Sequence, residues 1–161
     1  MRVTARFVLF VSVLAAGCGP TVDLSTALHV QNVSTGWFDA GIVDGKAKLV
    51  PSVTFDLKNG SGQSLPVLQV NALFRRVSEP NAEWGSAFIT AAGSSGLAAG
   101  ATTGPLTIRS DRGYTGTDQT RDEMLHNHLF VDAKVDLFAK YGSAQWTKIG
   151  DFTVERRLLT K

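Results

Sequence analysis

Leu49-Val50-Pro51-Ser52-Val53-Thr54-Phe55-Asp56-Leu57-Lys58, closed by Asn59-Gly60-Ser61-Gly62, is the stretch that decides the fold. In an extended chain successive side chains point to opposite faces, so Leu49, Pro51, Val53, Phe55 and Leu57 share one side. Val50, Ser52, Thr54, Asp56 and Lys58 share the other. A period of two marks a half-buried strand, and Asn-Gly-Ser-Gly supplies turn chemistry behind it. The next run repeats the pattern, with Leu68, Val70, Ala72 and Phe74 on one face. Together the two predict a hairpin in which Val53 to Leu57 pairs with Val67 to Phe74.

Working outward, the same alternation recurs along the chain. Leu28, Val30 and Asn32 open a first strand, and Ala87 to Thr90 and Leu106 to Ile108 give two short ones. Val131, Ala133, Val135 and Leu137 alternate with charged residues, and Trp146 to Leu159 follows across Tyr141-Gly142-Ser143. Ile149 and Phe152 fall out of strict alternation, which places a bulge at Gly150-Asp151. About seven strands at hairpin spacing predict an all-β, two-sheet antiparallel sandwich. Arg109 to His128 departs from the pattern. Within it Thr120-Arg121-Asp122-Glu123 has the form of a capping box ahead of Met124 and Leu125, which predicts one short helix near residues 119–127.

The start of the chain is an address rather than part of the sandwich. Arg2 and Arg6 precede the apolar run Phe7 to Leu14, and small residues lead to Cys18, the only cysteine. The run is about ten residues long, half of the roughly 20 that a membrane-spanning helix needs, so it reads as an export signal. Leu14-Ala15-Ala16-Gly17-Cys18 resembles the lipobox of bacterial lipoproteins. That resemblance implies a diacylglycerol on the Cys18 thiol, cleavage before Cys18 and acylation of the new amino group. Gly19 in place of an Asp implies the periplasmic face of the outer membrane. The expected organisation is a cleaved signal over 1–17, a lipidated tether over 18–25 and one domain over 26–161.

Composition narrows the function classes. Without Arg2 and Arg6 the basic residues fall from 16 to 14, equal to the 14 acidic ones. The mature domain is formally neutral and lacks the basic footprint of a nucleic-acid partner. With Cys18 lipidated, no thiol is left for a disulfide, a thiolate metal site or a nucleophile. The sequence contains no Gly-x-Ser-x-Gly elbow and no glycine-rich phosphate loop. It reads as non-catalytic, with no cofactor and no metal assigned.

Candidate binding residues lie in the unpatterned segment. Arg109, Asp111, Arg112 and Tyr114 gather two guanidinium groups, a carboxylate and an aromatic ring into six residues, the side-chain types that dominate binding surfaces. The bland alternative has Asp111 pairing with an arginine to pin the loop, Gly113 at a positive φ and Tyr114 covering the end of the sandwich. Trp84 is either an exposed stacking platform for a sugar or a partner, or a residue folded back over the core edge. Trp37 and Trp146 read as core or sheet-edge residues. His126 and His128 would share a face on a strand, where two imidazoles can chelate zinc, but diverge on a helix.

Phe55-Asp56-Leu57-Lys58-Asn59 and the valine-rich run behind it are similar to the immunoglobulin-like sandwiches of bacterial lipoproteins of the FxLYD and late-embryogenesis-abundant 14-like kinds. That resemblance implies an accessory or binding role, with the membrane held through the lipid and a protein or glycan as further partner. Two alternatives stand beside it: a metal-dependent or hydrolytic enzyme centred on His126, His128 and the 109–123 segment, and a structural subunit of an envelope complex.

Overall fold

The computed structural model describes residues 21–159, so the export signal and Cys18 lie outside the described residues, as do Thr160 and Lys161. Eight strands and two short helices follow one another: α1 (Leu24–Ala27), β1 (Leu28–Val43), β2 (Lys46–Asn59), β3 (Leu68–Arg76), β4 (Gly85–Ala92), β5 (Leu106–Arg109), β6 (Tyr114–Gly116), α2 (Arg121–His126), β7 (Ala133–Lys140) and β8 (Thr147–Thr153). The strands form two antiparallel sheets. In the first, β2 lies between β1 on one side and β5 and β6 on the other. The second has the order β4-β3-β7-β8. The protein is an all-β sandwich.

β1 and β2 are joined by Asp44-Gly45, both at positive φ (51° and 74°), with Val43 paired to Lys46. Two left-handed residues twist the turn in the sense the strands require, and Asp and Gly tolerate that conformation best. Register shifts at Gln31/Ser34 and Asp39/Ile42 bend the 16-residue β1 around the core.

The hairpin expected between Val53–Leu57 and Val67–Phe74 does not form. β2 and β3 lie in opposite sheets, and residues 60–67 carry the chain across the core. The faces were read correctly: Val53, Phe55 and Leu57 from one sheet meet Leu68, Val70, Ala72 and Phe74 from the other, all fully buried. What redirects the chain is Asn59, itself fully buried. Its amide nitrogen faces the carbonyls of Gln63, Leu97 and Ala98, which fastens 60–63 to the 93–104 segment rather than folding it back along β2.

α2 forms where the capping box predicted. Glu123 N donates to Thr120 Oγ1 at 3.2 Å, and Thr120 N donates to Glu123 Oε2 at 2.7 Å. At the N-terminal end the expected tether is shorter. Asp23 caps α1, Leu24 is buried in the core, and Val22 N donates to Tyr141 Oη at 2.7 Å, so the packed domain begins at about residue 22 rather than 26. The bulge in β8 falls one residue earlier than expected, at Ile149, between the pairs Leu137/Gly150 and Phe138/Lys148.

The final segment leaves the second sheet after Thr153 and crosses to the first. Trp37 N donates to Arg157 O and Leu159 N donates to Trp37 O, both at 2.8 Å, a parallel bridge along the edge of β1. A Cβ on Gly36 would stand 2.8 Å from Leu159 Cδ2 and 3.0 Å from Arg157 O, so a larger residue there would displace the Leu159 side chain.

Candidate functional site

The segment between β5 and β6 joins the two sheets, and its residues separate by role. Asp111 does not pair with an arginine. Its Oδ1 accepts from Ser86 N at 2.9 Å, a bridge from the loop to β4. The loop lies so close to Gly85 that a Cβ there would run into Ser110 Oγ and stand 2.7 Å from Asp111 Oδ1. Gly113 is required for a reason other than positive φ: a Cβ would collide with Leu49 O as the chain passes over β2. Tyr114 packs edge-on against Phe130 at 4.8 Å and so covers the end of the sandwich.

Arg109 and Arg112 point to different places. The Arg109 guanidinium lies 3.5 Å from the centre of the Phe38 ring. There it lines a cleft of about 400 Å³ on the first sheet with Ser34, Thr54 and Thr107, whose two threonine hydroxyls are 2.9 Å apart. Arg112 instead lines a groove of about 590 Å³ at the hairpin end of the molecule, together with Lys46, Lys48, Trp84, Gly113 and Thr115. Val43 and Asp44 complete it.

Trp84 is half-buried, between the two readings given above. It packs against the fully buried Trp37 at 6.1 Å with the rings tilted by 53°, carries the Arg76 guanidinium 5.3 Å from its ring centre and still lines the groove. Trp37 in turn meets Phe130 edge-on at 4.5 Å. Trp146 is exposed, with Lys140 Nζ 4.9 Å from its ring. Among the sequence candidates the structure therefore brings together Trp84 and Arg112, and leaves Arg109 apart. Lys46 and Lys48 were missed by sequence reasoning. The available signal was Lys-x-Lys on one strand face beside the Asp44-Gly45 turn.

Lys48 Nζ donates to Asp111 O at 3.2 Å, and Arg112 N donates to Ser110 Oγ at 3.1 Å. The amine and the backbone carrying the guanidinium are thus positioned without neutralising either charge. Among the described residues Lys46, Lys48 and Arg112 take part in no ion pair.

His126 and His128 are both exposed. His126 sits in the last turn of α2 with Nδ1 2.9 Å from Asp122 O, and no three His, Cys, Asp or Glu side chains come together as a metal centre among the described residues.

The most buried charge lies elsewhere. Asp136 on β7 is 6% exposed and contacts Arg75 Nε at 3.0 Å and Lys148 Nζ at 2.9 Å. Burial pushes its carboxyl up, but the hydrogen bonds from Lys148 and Arg75 outweigh this and hold it below the ordinary value of 3.8. The folded protein therefore binds this proton less tightly than the unfolded chain does. The resulting stability is fully present above the ordinary carboxylate range and is lost as pH falls through the lowered pKa. Urea midpoints measured from about pH 6 down to pH 3 are expected to fall for the wild type and to fall less steeply for Asp136→Asn. Parallel acid limbs in the two proteins would contradict this.

No family model matches the chain, and no curated protein matches it. Two solved structures are similar. One is an X-ray structure of a Northeast Structural Genomics Consortium target, 13% identical, with a TM-score of 0.43 over 82% of this chain and 89% of that one. The other is the solution structure of a protein from Arabidopsis thaliana, 14% identical, with a TM-score of 0.46 over 91% of each chain.

Proposed function

We propose that the protein is a non-catalytic envelope lipoprotein, held on the periplasmic face of the outer membrane through lipidated Cys18, whose sandwich is a binding or accessory module. The observation that carries this is the ordered combination of Arg2 and Arg6, the apolar run Phe7 to Leu14, the small residues Ala15 to Gly17, and Cys18. A single acyl chain gives marginal membrane affinity at ~0.8 kcal/mol per buried methylene, whereas the two or three chains of such an anchor hold firmly.

The start of the packed domain supports the reading. Val22 is already hydrogen-bonded to Tyr141 and Leu24 is in the core. Four residue steps at ~3.4 Å allow at most ~14 Å between Cys18 and Val22, so the sandwich would lie against the membrane. The free end of β2, at Asn59, is next to α1, where Gly60 N donates to Ala27 O at 2.7 Å. The basic groove is at the other end of that strand, 14 residues or roughly 45 Å away, and would face outward from the membrane.

Fractionation of the native cells tests this. The wild-type chain is expected in the membrane fraction with a lipid-modified N-terminal peptide, and Cys18→Ser is expected to lose at least about nine-tenths of that membrane association because no chain remains to partition. Soluble wild-type protein with an intact, unmodified Cys18 would end the proposal.

A further inference from the structure

We infer that the groove at the β1–β2 hairpin end binds an anionic saccharide, with a carboxylate among Lys46, Lys48 and Arg112 and a sugar ring against Trp84. The inference rests on the binding-module reading and names its site and ligand class. Three cations from two separate stretches of chain converge on one concavity, and none is neutralised by an ion pair among the described residues. Like charges at short range repel, and an arrangement that gathers them favours a bound anion. Part of the ordering is done in advance, because Lys48 Nζ is held by Asp111 O and the Arg112 backbone by Ser110 Oγ. Preorganised groups lose less freedom on binding.

The remaining lining distinguishes a saccharide from an acidic peptide. Trp84 lines the groove with the part of its indole left uncovered by Arg76 and Trp37, against which the C–H edge of a sugar ring packs, and Thr115 offers a hydroxyl. Asp44 is the one carboxylate in the groove. It accepts hydrogen bonds from sugar hydroxyls, donors that an acidic peptide's side chains lack. A ligand that brings both an anion and hydroxyl donors satisfies cations and carboxylate together. The volume of about 590 Å³ lies within the ~300–1,000 Å³ common to small-ligand clefts.

Calorimetric titration of the full-length chain in detergent, with a galacturonic acid hexamer as probe, decides the matter. Saturable binding is expected, weakening at least about tenfold as NaCl rises from about 50 to 500 mM. Maltohexaose, a neutral hexasaccharide, is expected not to bind. Lys46→Ala/Arg112→Ala is expected to lower affinity by about tenfold or more, whereas Arg109→Ala, in the other cleft, leaves it unchanged. Lys46 and Arg112 are exposed, so an unchanged circular dichroism spectrum is expected for the double variant. Absence of saturable binding, undiminished affinity in the double variant, or hexaglutamate binding as tightly as the uronate would each overturn the inference. The titration does not read anchoring. Its failure leaves the fractionation result standing, and soluble wild-type protein would leave the titration standing.

Discussion

Replacing Trp37 by Ala lowers folding stability by about 3–5 kcal/mol, measured as the free energy from urea unfolding followed by circular dichroism. Trp37 is fully buried in β1 and is the ring on which Trp84 and Phe130 both pack. Its backbone also holds the final segment through the bonds to Arg157 and Leu159. Truncation removes the largest side chain of the core and leaves a cavity where the two sheets and that segment meet. Among the described residues the buried indole Nε1 has no hydrogen-bond partner, so Trp37→Phe removes an uncompensated donor as well as some volume. Trp37→Phe is therefore expected to be much the milder of the two. A Trp37→Ala protein within about 1 kcal/mol of the wild type would show that these contacts contribute little.

The second large effect is expected at Asn59, where Asn59→Asp costs about 3–5 kcal/mol at neutral pH by burying an unpaired charge. The Asn59 amide nitrogen stands 2.8 Å from Gln63 O, 2.8 Å from Leu97 O and 3.1 Å from Ala98 O, while Oδ1 accepts from Ser61 N and Ser61 Oγ. In the variant a carboxylate oxygen replaces the nitrogen and faces three carbonyls. Protonation restores one donor, so the carboxyl pKa in the folded variant is raised above its unfolded value. Relative to the wild type, the variant recovers stability as pH falls, opposite in sign to the Asp136 contribution. Urea midpoints of the two proteins at about pH 7 and pH 4 measure this. A difference that does not shrink on acidification would exclude the carbonyl repulsion as its cause.

Strand positions were legible because alternation records which face of the chain is buried. Pairing was not legible for β2 and β3. Two strands that hydrogen-bond side by side and two that face each other across a core carry the same pattern, as Phe55 and Phe74 show. The true hairpin was marked by Asp44-Gly45, but on its β1 side Ile42 and Val43 are both exposed and give no alternation to pair with Ala47 and Leu49. Asp23, inside the expected 18–25 tether, acts instead as a helix cap, a use its short acceptor side chain serves as readily as a turn. The capping box of α2 was fully legible because it is a local device, complete within four residues.

The candidate site was half legible for a similar reason. Arg109 and Arg112 are close in sequence, and the turn through Ser110 and Asp111 sends them to different surfaces. Lys46 and Lys48 look like an ordinary solvated face until the fold brings the 110–113 loop and Trp84 beside them. That meeting depends on close approaches at Gly85 and Gly113 which no sequence period records.

The crossing of the final segment onto β1 bears on how the molecule is assembled in time. Thr35 to Trp37 is completed by Thr153 to Leu159, made more than 110 residues later, and Val22 is tied to Tyr141 across a similar span. Contacts between such distant positions require closure of a loop of more than 110 residues, which slows folding. The core around Trp37 therefore closes only once Thr153 to Leu159 have been made. On the export route proposed above, this delay would keep the chain extended for its passage through a secretion channel.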